Sequence, residues 1–202
     1  MANRDFINIV TPSGKAIFPY LTEPNTKFNP QGEYKVNLSL EKADATPIIS
    51  KIEEALEKAR ALAPQGKKPR EAQLPYEEET DENGNLTGRC VFKFKNKAQL
   101  TTKDGRTVTM KPKLFDAKGN YLQEVESIWG GSILRVSADL IPYFVSAVGV
   151  GVSLRLKAVQ IIDLIKADAS NATSYGFEST SGYEATDNAP TATEFSDNEE
   201  DF

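Results

Sequence analysis

Arg89, Lys93, Lys95 and Lys97 lie on one short segment, with Phe92 and Phe94 set between them. Cations interleaved with flat rings are the residue types that hold a single-stranded nucleic acid. The cations track the phosphates, and the bases stack on the rings. The same combination recurs elsewhere: Tyr34 adjoins Lys35, Lys111 and Lys113 precede Phe115, Arg135 follows Trp129, and Tyr143 and Phe144 follow Pro142. A short basic run, Gly66-Lys67-Lys68-Pro69-Arg70, adds two lysines. The candidate DNA contacts are therefore Tyr34, Lys35, Lys67, Lys68, Arg89, Lys93, Lys95, Lys111, Lys113, Arg135, Tyr143 and Phe144.

Each has a plainer reading. Phe92 and Phe94 share the inward side of an alternating strand, and Tyr34 shares a face with Val36 and Leu38, so packing into a core is favoured for all three. Lys93 and Lys95 then face outward, where a solvated face and a phosphate contact are equally natural. Tyr143 and Phe144 stand in a turn after Pro142, where core burial is a weaker account. Trp129, before Gly130-Gly131, reads as structural, and the basic run as a solvated loop.

Other chemistry is poorly supplied. The chain has no histidine and one cysteine, Cys90, so a Ser-His or Cys-His nucleophile pair cannot be assembled. A zinc site would need one thiolate and carboxylates alone. The acidic run Glu77-Glu78-Glu79 with Asp81-Glu82 falls in a Pro/Gly-rich stretch and reads as solvated. No catalytic residue, metal or cofactor is expected.

The elements that must position these residues are mainly strands. Tyr34, Val36, Leu38 and Leu40 alternate with Lys35, Asn37 and Ser39, and residues 89–95 alternate likewise. Residues 98–102 and 107–113 flank Lys103-Asp104-Gly105-Arg106, a hairpin turn. A second turn falls at residues 116–120, and residues 133–140, 147–156 and 158–165 complete the strands, with Gly149 and Gly151 marking a bend or bulge. One helix is predicted to start at Thr46-Pro47, with Ile48, Ile49, Ile52, Leu56, Ala59 and Leu62 at helical spacing, and to end at Ala63-Pro64. Residues 65–88 read as one long loop. Short strands with one inserted helix give a mainly β fold, a small OB-like barrel in preference to a sandwich.

Charge divides the chain. All 24 Lys and Arg lie at or before Lys166, and nine of the 29 acids lie after it. The body is thus about +4 and the remainder −9, so the acidic pI of 5.0 conceals a cationic body. Residues 1–166 are read as the domain. Residues 167–202 are read as a disordered acidic tail, too poor in apolar residues to offset the entropy of ordering. Its end, Asp197-Asn198-Glu199-Glu200-Asp201-Phe202, has the form of a docking motif. No apolar run matches a membrane span, and the N-terminus does not read as a signal peptide.

The strings NPQGEYKVNLSL (29–40), GKKP (66–69), FKFK (92–95) and GGSILRVSADLIPYFVSAVGVGVSLRLKAVQIIDL (130–164), with the acidic end closing on Phe202, resemble the single-stranded-DNA-binding proteins of short-tailed, T7-like bacteriophages. The resemblance implies an OB-fold, sequence-independent single-strand binding and strand annealing in replication and recombination, within the cytoplasm of an infected bacterium. It also implies docking of the tail residues Asp197, Glu199, Glu200, Asp201 and Phe202 on the phage DNA polymerase and primase-helicase. Two departures stand out. The tail is less densely acidic, and Phe144-Val145-Ser146 follows Pro142-Tyr143 where a relative carries basic and tryptophan residues. Oligomeric state is left open, a homodimer included, and a β-rich adaptor that binds only proteins through its tail is the rival reading.

Overall fold

Alternating apolar and polar residues build strands that bury one face, and here the long strands β2, β3, β5, β10 and β11 each find partners on both edges. The computed structural model describes residues 6–27, 29–64, 69–102, 104–125 and 127–165. Its elements run β1 (Ile7–Val10), β2 (Gly14–Asn25), β3 (Glu33–Glu41), α1 (Lys42–Arg60), β4 (Tyr76–Thr80), β5 (Leu86–Lys97), β6 (Gln99–Thr101), β7 (Thr107–Thr109), β8 (Lys113–Phe115), β9 (Tyr121–Leu122), β10 (Ile133–Val145) and β11 (Gly149–Asp163). Strands β2, β3, β5, β11 and β10 follow one another around a ring that closes where Gly14 and Lys15 meet Leu134 and Ile133. All contacts in the ring are antiparallel except β5 with β11, which is parallel. This closed five-stranded barrel is an OB-fold. Strand β1 extends the outer edge of β10, β8 and β9 extend β11, and β4 extends β5.

The interior is filled by Val36, Leu38, Phe94, Leu134, Val136, Leu154 and Leu156, all essentially inaccessible to solvent. Phe92 and Tyr34 join them, so the core reading of these aromatics holds. Helix α1 buries Ala45, Ile48, Ile52, Ala55, Leu56 and Ala59 against β10, β11 and β5.

Several local expectations are corrected. The helix starts at Lys42, not at Thr46-Pro47, so Pro47 sits inside it and the Thr46 hydroxyl donates back to the Lys42 carbonyl at 2.9 Å. Proline this near the start sacrifices a single backbone bond, which the buried face outweighs. Within the expected long loop, β4 pairs with β5 around a turn at Asp81, where Asp81 Oδ1 accepts from the Asn83 and Asn85 backbone amides. The turn at Asp116 is built the same way, on the amides of Lys118 and Asn120, as expected of that segment. Both carboxylates are held below the usual aspartate range, chiefly by hydrogen bonds from the Asn four residues on. The hairpin around Asp104-Gly105 forms as predicted but is shorter, pairing β6 with β7 only.

Gly151 marks a close approach, not a bulge: the Tyr143 ring lies over it, and a Cβ there would come within 2.5 Å of the hydroxyl oxygen. The register shifts instead set Lys157 and Ile162 on β11 as unpaired extra residues opposite β10.

Gly14, at the closing seam, has no room for a side chain. A Cβ would lie 2.6 Å from Leu40 Cδ2 and 2.7 Å from the Ser39 carbonyl oxygen. Gly14→Ala is expected to lower stability by about 1–3 kcal/mol through overpacking, read as a lower urea midpoint with an unchanged slope.

Candidate nucleic-acid interface

Strand pairing places outward-facing side chains of successive strands next to one another. Tyr20 pairs with Lys35, Lys35 with Lys95, Lys95 with Arg155, and Arg155 with Asp139. Their inward neighbours, Phe94 and Leu154 among them, are buried, so the row Tyr20–Lys35–Lys95–Arg155 runs across the outside of the barrel. Adjacent strands stand about 4.8 Å apart, so the row spans roughly 14 Å. A groove of about 540 Å3 opens along it, lined by Lys35, Asn37, Lys93, Lys95, Tyr143 and Ser153, with Gln73, Leu74 and Pro75 as its far lip. It continues past Lys97, Leu100, Met110 and Arg155 in a second depression of about 370 Å3.

The cations in this row differ in how firmly they are held. Lys35 Nζ lies 5.4 Å from the centre of the Tyr20 ring, within cation–π range. The Arg155 guanidinium sits 5.0 Å from the Phe6 ring and donates to Asp139 Oδ2 at 2.7 Å, which fixes its direction. Lys93 is engaged by Glu77 at 2.6 Å, an exposed pair that a phosphate can displace at small cost.

Of the residues singled out in the sequence, the fold brings Lys35, Lys93, Lys95 and Tyr143 together at the groove. Arg89 stands apart. It is clamped by Glu41, by Glu79, and by the hydroxyl and carbonyl of Ser39. Tyr34 is core, where burial foremost and then Glu23 raise its phenol pKa, and Phe144 packs against the core. Arg135 is on the same outer face but farther along β10, donating to the Thr11 carbonyl and to Gln160. Lys113 pairs beside Ala158, and Lys111 is exposed just before it. Lys67, Lys68 and the tail residues Asp197, Glu199, Glu200, Asp201 and Phe202 lie outside the described residues, as does the boundary expected at 166.

Arg155 and Tyr20 were not among the sequence candidates. Arg155 was recoverable, since Ser153, Arg155 and Lys157 are the polar members of an alternating strand. Tyr20 was not, because its direction depends on an irregularity in β2.

The family model described as "Single-stranded DNA-binding protein, Bacteriophage T7" matches residues 14–164. The single-stranded DNA-binding protein of Enterobacteria phage T3 is 35% identical over 148 residues, which make up 67% of this chain and 64% of that protein. That of Escherichia phage T7 is 33% identical over 151 residues, with the same two shares. The chain thus spans just under two thirds of the length of these relatives. Among solved structures, gp2.5, a single-stranded DNA binding protein encoded by bacteriophage T7, superposes with a TM-score of 0.69 at 27% identity, covering 90% of this chain and all of that one. The single-stranded DNA-binding protein of bacteriophage Enc34, solved in complex with ssDNA, shares the fold at a TM-score of 0.56 and 15% identity, over 79% of this chain and 88% of that one.

Asp139 ties β10 to this face. Burial pushes its pKa up, but hydrogen bonds from Arg155, Asn8 and Lys157 together outweigh burial and hold it below the usual aspartate range. A carboxylate whose folded pKa is depressed contributes stability above its unfolded pKa of about 3.9 and loses it as pH falls through the folded value. Asp139→Asn is expected to cost about 1–3 kcal/mol at neutral pH. The difference from the wild type should shrink on acidification below about pH 4, measured by urea unfolding across pH.

Proposed function

The chain belongs to the bacteriophage T7 family of single-stranded DNA-binding proteins, and from that membership and the cationic groove we propose that it binds single-stranded DNA without sequence preference. The observation that carries the reading is the outward row Lys35–Lys95–Arg155 beside Tyr20 and Tyr143, in an open groove. Phosphates run along the cations, and bases lie on Tyr143 and Tyr20. Base–ring stacking contributes roughly 1–3 kcal/mol per base. Two bases and a few phosphates give binding that a replication enzyme can displace. Stacking on rings is tolerant of sequence because every base has a π-face, which suits binding of any sequence.

The function extends to protecting and annealing strands during phage replication and recombination, in the infected cell. Residues 167–202 are the acidic partner-docking segment, with Phe202 the anchor for the polymerase and primase-helicase. If the segment behaves as the flexible chain its composition suggests, about 36 residues would have a root-mean-square reach near 33 Å. We propose that this acidic segment competes with DNA for the cations and is freed for partners when DNA binds.

Anisotropy of a labelled oligo-dT, titrated over a range of salt, tests the groove. Neutralising ~3 phosphates gives a log–log salt slope near −2, and each lost contact reduces it by about 0.7. Lys35→Gln and Lys95→Gln are each expected to flatten the slope by that amount, while Arg89→Gln, which removes a cation already clamped by carboxylates, leaves it unchanged. Absence of single-strand affinity in both the full-length and tail-deleted proteins would favour the adaptor reading.

Deleting residues 167–202 should tighten binding at low salt, and equal affinities there would sink the competing-tail idea. Phe202→Ala should leave DNA affinity intact and abolish capture of the polymerase in a pull-down, since one buried aromatic often dominates a small interface. Loss of both activities together would overturn the division of roles.

A further inference from the structure

On β2, Ala16 points into the core, so strict alternation sends Phe18 inward as well. It does not go there. Ile17 pairs with Asn37 and Tyr20 with Lys35, so β2 carries one residue more than β3 across this interval. Phe18 has φ +48, in the left-handed region that a bulky side chain rarely enters, and the residue is 74% exposed. The chain regains its inward phase only at Leu21. Left-handed backbone at a non-glycine residue costs of order 1–3 kcal/mol, and an exposed phenylalanine returns none of it in the free protein.

Trp129 faces the same place. Ile128 is anchored in the core. The turn beyond it is tied by the Gly131 amide to the Ala16 carbonyl at 2.8 Å and by the Ser132 hydroxyl to the Trp129 carbonyl at 2.8 Å. Trp129 is left 51% exposed on a fixed support. Phe18, Tyr20 and Trp129 thereby wall a cleft of about 570 Å3 whose polar rim is Thr22, Glu23 and Ser127.

We propose that this cleft is a second stacking platform, onto which a single strand leaving the cationic groove lays its next bases. The proposal rests on the reading of the groove as the single-strand site. Tyr20 makes the two continuous: it is a wall of the cleft and also the end of the row Arg155–Lys95–Lys35, with Lys35 Nζ over its ring. A strand tracked along those cations is delivered to Tyr20 and has Phe18 and Trp129 beyond it. Rings with no cation among the cleft's lining residues suit bases already paid out from a charged track, and they take any base because every base has a π-face.

Trp129 is the chain's one tryptophan, so its emission reports on this cleft alone. Full-length protein is titrated with fluorescein-labelled oligo-dT of about 16 nucleotides, the upper end of OB-fold site sizes. Anisotropy follows overall binding. A parallel titration with unlabelled oligomer follows Trp129 emission and its quenching by acrylamide. Binding should quench Trp129 and shield it from acrylamide over the same concentration range as the anisotropy change. Phe18→Asn, a residue that tolerates positive φ, should bind the oligomer about tenfold more weakly, the loss of one stacked base, with its thermal unfolding unimpaired. Normal anisotropy binding with Trp129 unchanged in emission and accessibility, and with Phe18→Asn at wild-type affinity, overturns the platform and leaves the groove reading standing. No binding by anisotropy overturns both.

Discussion

The parallel pairing of β5 with β11 sets Phe94 beside Leu154 and, one residue on, Lys95 beside Arg155. The first pair is buried and the second faces water, so one register fixes both the core and the cationic row. A slip of either strand by one residue would send its cation, Lys95 or Arg155, into the barrel and expose Phe94 or Leu154, exchanging apolar burial for an unpaired buried charge. The groove therefore inherits its precision from packing. The cations need no dedicated scaffold, because the alternation that hides apolar side chains also aligns charged ones on the opposite face.

That coupling explains what could be read in the sequence. Period-2 alternation assigns each strand residue to a face, so Lys35, Lys93 and Lys95 were legible as outward cations, and Phe92, Phe94 and Tyr34 as core. What alternation cannot convey is which strand comes next to which, and hence which acid meets which base. Arg89 looked equivalent to Lys93 and Lys95, yet its neighbours across the sheet are Ser39 and Glu41, and Glu79 reaches it from β4. Irregularity is the second blind spot. The bulge that turns Phe18 outward, the extra residues Lys157 and Ile162 on β11, and a helix that starts before its proline are choices made by tertiary packing over local preference. The strand hidden in the acidic stretch 76–80 was missed for a related reason. Glu77, Glu78 and Glu79 lack an apolar face of their own and pair because β5 offers an edge.

The body's small positive charge is distributed more than it is concentrated. Glu77 sits on Lys93, Asp139 on Arg155 and Lys157, and Glu33 lines the groove beside Lys35. The exposed pair of Glu77 with Lys93 contributes no more than about 1 kcal/mol, whereas the buried Asp139 holds its two cations more firmly. Such pairing removes much of the long-range attraction that bare lysines would exert.

The insertion between β3 and β5 ties these features into one device. These two strands are neighbours along their whole antiparallel register, from Glu33 with Lys97 to Glu41 with Arg89. Instead of a hairpin turn, the chain between them makes α1 and then β4. The helix packs its apolar face against β10, β11 and β5, which fixes those strands around the core. The returning segment supplies Gln73, Leu74 and Pro75 as one lip of the groove, and Glu77 as the carboxylate that holds Lys93. Support for the barrel and restraint of its binding face thus come from one stretch of chain, anchored at both ends to the strands that carry Lys35 and Lys95. A change that loosens α1 is transmitted to the lip and to Glu77 as well as to the core, so the stability of the barrel and the shape of the groove are coupled through this insertion.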